Sequence, residues 1–281
     1  MLLADIVAAY VVPHTPSFVA EVKANGERSE TARFFGEIGR HLMAARPDVI
    51  VSISNDHFNT FFLDNWPTFA IGLADRTAGP SDQTPEMPWY EVEVASDLAR
   101  HLFGHLVADA FDVARSLEFQ LDHAHLVPLH FLTPEMSVPI VPVFINCIVP
   151  PLPSSRRCHR LGRSLAEAIA SWSNEQRVAI LASGSLSLEI GGPRAFENKT
   201  FGVPDPDWAS WVLEQIRTGR IETLIEAASQ ERMLEAGNVA GELLTWIAAL
   251  GAVGPATPDI LVNQPELGNA FAAWTPKGVG R

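Results

Sequence analysis

Short apolar runs recur along the chain, and segments with helical spacing separate them. DIVAAYVV at 5–12, PDVIVSIS at 47–54, PTFAIGLA at 67–74, VPIVPVFIN at 138–146 and RVAILASGS at 177–185 all have the length of strands. The runs at 47–54 and 177–185 lack polar alternation, which marks strands buried on both faces. FDVARS at 111–116 is a weaker strand, while DILVNQPE at 259–266 and AFAAWTP at 270–276 would finish the sheet. The prolines of 138–146 point to an edge or a strand start, because proline gives the ladder no N–H. Helical spacing marks 28–45 (Phe34, Ile38, Leu42), 89–107 (Ala95, Leu98, Leu102, Leu106) and 158–172, and 207–250 is mostly helical in three pieces. Such alternation builds an α/β fold with a central, largely parallel or mixed sheet flanked by helices. There is no internal repeat, linker or low-complexity tract, so residues 1–281 are expected to form a single domain.

Composition narrows the partners. Twenty basic residues stand against 33 acidic ones, a net charge of -13, with no basic run; nucleic acid and anionic membrane surfaces are not expected as partners. Cys147 and Cys158 are the only cysteines, which suits reduced thiols and a cytoplasmic location better than a disulfide framework. MLLADIVAAYVV at the start lacks a basic region and contains Asp5, so it is read as a strand and not as a signal peptide. No stretch approaches the roughly 20 apolar residues a membrane helix needs.

Ligands of α/β sheets gather beyond the carboxyl ends of strands. Beyond the first strand stands Pro13-His14-Thr15-Pro16, beyond the second Asn55-Asp56-His57, and beyond the strand at 177–185 the turn Gly184-Ser185-Leu186-Ser187-Leu188. Imidazole is the commonest protein metal ligand, but each histidine alone is equally a capping or hydrogen-bonding residue in a chain with nine. Glu242 offers a third donor at the start of an apolar helical stretch. A carboxylate there is costly unless paired or metal-bound, and the alternative is a first-turn glutamate favoured by the helix dipole. Two histidines and a carboxylate form the facial triad of non-haem Fe(II) oxygenases, and the same set serves catalytic zinc.

These residues carry a resemblance. PHTPS with His14, PDVIVSISNDHFNTFFLDNWPTFAIG with His57, QLDHAHLVPL with His123, VPVFINCIVPPLPSSRRCHRLGRSL, SGSLSLEIGGPR and NVAGELLTW with Glu242 together resemble the class III extradiol ring-cleavage dioxygenases over nearly the whole chain. The resemblance implies Fe(II) held by His14, His57 and Glu242, and a further histidine, His123, beside substrate and oxygen. It implies O2-dependent opening of a catechol-like or aminophenol-like ring. The implied assembly is a homo-oligomer, with a small second subunit in some relatives.

Two departures stand out. The family carries a histidine in the turn after the strand at 177–185, where it serves as acid and base; here that position is Leu188. The segment GVPDPDW at 202–208 reads as an insertion that could reshape the pocket rim. Candidate replacements for the lost group are His123 itself, His125, which shares its face only in an extended stretch, and Glu189. Asp56 could orient a ligand or cap a turn, Arg194 could bind an anion or be structural, and His101 and His130 are expected to be structural. Leu188 also raises the alternative of a non-catalytic or regulatory subunit. The ligand set leaves open a metal-dependent hydrolase or lyase.

Overall fold

In the computed structural model, which describes residues 3–276, the two runs without polar alternation lie at the centre of an eight-stranded mixed sheet. The strands are β1 (Asp5–Val12), β2 (Val49–Ser54), β3 (Phe69–Gly72), β4 (Arg76–Gly79), β5 (Tyr90–Glu93), β6 (Val113–Ser116), β7 (Ile140–Ile145), β8 (Arg177–Ser183), β9 (Glu189–Ile190), β10 (Gly202–Val203), β11 (Ile260–Gln264) and β12 (Asn269–Trp274). The helices are α1 (Phe18–Asn25), α2 (Glu30–Ala45), α3 (Ser96–Ala108), α4 (His123–Leu132), α5 (Ser155–Ser171), α6 (Pro193–Asn198), α7 (Pro206–Arg217), α8 (Ile221–Ala227), α9 (Gln230–Ala236) and α10 (Leu243–Val253).

The sheet order is β11-β12-β1-β8-β2-β7-β3-β6. Pairing is parallel through β1, β8, β2 and β7 and between β3 and β6. It is antiparallel at β3–β7 and through β1, β12 and β11. Side chains of a strand alternate between faces, so each central strand feeds two cores. Ala9, Val11, Val51, Ile53 and Ile180 face the layer built from α3, α5, α7 and α10, while Ala8, Tyr10, Ile50 and Leu181 face the layer of α2 and α4. Helix α10 is buried along its whole length, as a helix apolar on every side but for Thr245 must be in a core. This is the expected α/β architecture. Among the described residues no helix is long and apolar enough to cross a membrane.

Some local expectations are corrected. The run at 138–146 is not an edge: β7 lies between β2 and β3. Its proline is tolerated because the β3 pairing begins at Val143, one residue past Pro142, so no ladder partner there lacks an N–H. The helical pattern at 89–107 begins as strand β5, and 206–253 holds four helices where three pieces were expected. Helix α4 holds His130, which has a helical pattern in the sequence, but its start at His123 was not foreseen, because Pro128 inside it and two histidines at its start masked the pattern.

Candidate active site

The strand order places the site. β8 lies between β1 and β2, all three run parallel, and so their carboxyl ends share one edge. His14 follows β1, His57 follows β2, and Ser183 ends β8 between them. Glu242 comes from the turn before α10, which is drawn against the end of β8. Thr245 Oγ1 donates to Ser183 O (2.8 Å) and Trp246 Nε1 donates to Gly184 O (3.0 Å). Glycine is required on both sides of this approach. A Cβ at Gly184 would lie 2.7 Å from Glu242 Cβ, and one at Gly241 would lie 2.0 Å from Cys147 O.

His14, His57 and Glu242 converge. Glu242 Oε1 is 3.1 Å from His14 Nε2 and 3.5 Å from His57 Nε2, and Oε2 accepts the Ser185 N–H at 2.7 Å. Donor nitrogens of His14, His57 and His123 lie within 4.8 Å of one another. The rings of His57 and His123 stack at 4.1 Å, and His14 meets each edge-on at 5.4 Å.

The outer nitrogens are tied down. Ser183 Oγ donates to Ala124 O (2.6 Å), so it accepts from His14 Nδ1 (3.0 Å), and Ser54 Oγ donates to it in turn (2.9 Å). Asp122 Oδ2 accepts both the backbone N–H and Nδ1–H of His57, each at 2.9 Å. Both rings therefore carry a proton on Nδ1 and present Nε2 to Glu242, the arrangement in which an outer partner fixes tautomer and orientation.

The charges agree with a bound cation. Burial opposes ionisation of Glu242, yet the imidazoles of His14 and His57 more than offset it and hold the carboxyl well below the usual range. Asp122 behaves likewise against His57. Burial opposes charging of His57, but its bonds to Asp122 and Glu242 prevail and push it up to about 10. Among the described residues no lysine or arginine pairs with either carboxylate, so compensating charge must come from protonated imidazole or a metal ion. Two Nε2 lone pairs facing a carboxylate oxygen are mutually repulsive acceptors until a cation stands between them. The donor set fits a divalent metal.

The other candidates separate. Helix α4 begins at His123, so His125 is turned about 200° from it. His125 is buried against the sheet, with Nδ1 bonded to Ser52 Oγ at 2.8 Å and its ring edge-on to Phe119, apart from the three clustered rings. Burial pushes it down to about 4. Asp56 caps a turn, accepting the N–H groups of Asn59, Thr60 and Phe61. Glu189 binds the backbone N–H and Nε of Arg194, so both close the turn before α6. Leu188 is half-buried, its Cδ1 3.0 Å from where a Cβ on Gly202 would stand. The segment at 202–208 supplies β10, which pairs with β9, and the start of α7. His101 bonds Ala168 O and His130 bonds Tyr90, structural roles as expected.

Sequence reading missed the residues that aim the cluster. Asn55 donates to Glu242 Oε1 at 3.2 Å, Asp122 clamps His57, and Asp82 accepts from His123. Asp122 also caps α4, accepting the Ala124 N–H at 2.9 Å. A signal existed: an aspartate directly before a histidine pair, at the start of an apolar stretch, is an N-cap pattern.

The family model described as catalytic LigB subunit of aromatic ring-opening dioxygenase matches residues 8–269, a span that contains every residue of this cluster. The chain belongs to this family. Among LigB relatives, the 2,3-dihydroxyphenylpropionate/2,3-dihydroxicinnamic acid 1,2-dioxygenase of Paraburkholderia xenovorans is 30% identical over 82% of this chain and 87% of its own length. The enzyme of the same name from Klebsiella pneumoniae is 24% identical over 96% of this chain and 91% of its own. A crystal structure of an uncharacterized protein from Escherichia coli shares the fold, with a TM-score of 0.64 and 17% identity over 95% of this chain and 98% of that one. The LigB chain is thus a ring-cleaving dioxygenase, an oxidoreductase of the class the resemblance implied.

Proposed function

We propose that the chain is an extradiol dioxygenase that uses Fe(II) held by His14, His57 and Glu242 to open a catechol-like or aminophenol-like ring with O2. The observation that carries this reading is the convergence of His14 Nε2, His57 Nε2 and Glu242 Oε1 within 3.5 Å contacts, with both Nδ1 atoms already committed elsewhere. The named activities of the relatives favour a catechol that bears a side chain next to the diol.

When bound, Fe(II) acidifies a diol hydroxyl and lets ring and O2 exchange electrons. The protein's part is positional and protonic. Ser183 and Asp122 hold the two imidazoles at fixed tautomers. Asn55 and the Ser185 N–H hold the Glu242 carboxylate by its two oxygens. His123, against both ligand rings, takes the hydroxyl proton and returns it as the ring opens. Both atoms of O2 enter the product, so no external reductant is consumed. Leu188 cannot exchange a proton, which leaves His123 as the acid–base group we assign among the described residues and suits substrates acidified by the metal itself. His125, on the sheet-facing side of α4 and bonded to Ser52, supports the wall and stays neutral.

The test is anaerobic loading with Fe(II), then O2, across a panel of 3-substituted catechols and aminophenols. A yellow ring-opened product from a 3-substituted catechol is expected. No product from any compound, with iron bound, would refute the activity. Zinc and no iron in protein purified without oxygen would favour a hydrolase or lyase.

A further inference from the structure

His123 has its own carboxylate. Asp82 Oδ2 accepts the backbone N–H of His123 at 3.2 Å and is hydrogen-bonded to its Nδ1, while Asp82 Oδ1 accepts from Thr84 Oγ1 at 2.7 Å. Two neighbouring histidines, stacked at 4.1 Å, are thus each pinned by a separate aspartate through the same pair of N–H groups: His57 by Asp122 and His123 by Asp82.

The backbone is built to deliver Asp82 there. Residues 77–82 run alongside 119–123: Thr77 Oγ1 donates to Phe119 O, Leu121 N to Ala78 O (2.9 Å) and Ser81 N to Leu121 O (2.9 Å). The approach is so close that a Cβ at Gly79 would lie 2.0 Å from Leu121 O. Asp82, Asp122 and His123 together have the spacing of a cation site, but each carboxylate oxygen already accepts an N–H or O–H. The group is a hydrogen-bonded frame, not a second metal centre.

We infer that Asp82 is a positioning residue that holds the proton of His123 on Nδ1 and so reserves Nε2 for proton exchange with substrate. An ionised carboxylate has no proton to give, so the shared hydrogen belongs to Nδ1. This rests on the reading of His123 as the acid–base group of the site.

The experiment compares wild type with Asp82→Ala, Asp82→Glu, Thr84→Val and His123→Gln. Protein labelled with 15N-histidine and loaded with zinc, which is diamagnetic, reports the His123 tautomer by NMR. Iron-loaded protein with 2,3-dihydroxyphenylpropionate reports kcat and KM. D82A should lose the Nδ1–H signature and lower kcat about 10–100-fold, the usual cost of removing an orienting partner, with KM and Fe(II) affinity within about threefold of wild type. D82E should recover part of kcat, and T84V, which loosens Asp82 without removing it, should lower kcat less than D82A. An unchanged kcat in D82A, or a fall in kcat with the Nδ1–H signature intact, would overturn the inference. If D82A does not fold, T84V decides on the same two readouts. Wild-type activity in H123Q would instead remove the underlying role of His123, and the tautomer measurement would still decide what Asp82 holds.

Discussion

Glu242 Oε1 lies 3.1 Å from His14 Nε2, although 228 residues separate them in the chain. His14 Nδ1 already donates to Ser183, so Nε2 is the nitrogen left to face the carboxylate and a metal ion. Metal and proton compete at such a nitrogen, and ligand groups must be deprotonated to bind. His57, pushed up to about 10 by its bonds to Asp122 and Glu242 against its burial, carries a proton that the metal must displace. Fe(II) affinity should rise steadily from pH 6 to pH 8, measured by chelator competition. An affinity independent of pH would contradict the account.

Asp122 grips His57 and caps α4 with the same carboxylate. Asparagine caps a helix as well as aspartate does, so Asp122→Asn spares the helix and perturbs the ring. Fe(II) affinity should fall about 10–100-fold while the melting temperature moves little. Equal affinity in both proteins would show that His57 is placed by other contacts.

His125 stands in the core with Nδ1 on Ser52 and no partner for Nε2 among the described residues. Burial pushes it down to about 4, below the ~6.5 of an unfolded histidine. Between these values the unfolded chain binds a proton that the folded chain refuses. Stability present above pH ~6.5 is lost as pH falls towards ~4, by up to about 3 kcal/mol. Urea unfolding at several pH values should show this loss in wild type and a flatter profile in His125→Phe. The same slope in both would assign it to other groups.

The family resemblance implies an acid–base histidine at the position where this chain has Leu188. Leu188→His should raise kcat on 3-substituted catechols by about 100-fold, the low side of what a positioned acid–base group contributes. Steady-state rates at saturating substrate decide it. An unchanged rate would mean that proton transfer through a second group does not limit this enzyme.

Much of the fold was legible because the physics is local. β1 matches the apolar run at 5–12 residue for residue, and the doubly buried runs became the central strands β2 and β8. His14 and His57 stood out because strand ends in a parallel sheet share an edge. Less legible was whatever depends on long-range pairing. Pro142 looked like an edge residue because nothing in the run shows where the β3 pairing begins. The faces of His123 and His125 could not be told apart until α4 was seen to start at His123. Asp82 left no mark at all, because its meaning comes from the backbone pairing of residues 77–82 with 119–123.

Anaerobic titration with Fe(II), followed by metal analysis, tests the shared site most directly. Wild type should bind about one iron per chain. His14→Ala, His57→Ala and Glu242→Ala should each weaken binding more than the ~100-fold that losing an outer partner costs, while remaining folded by circular dichroism. Full iron occupancy at wild-type affinity in any of the three variants, or none in the wild type, would contradict the account.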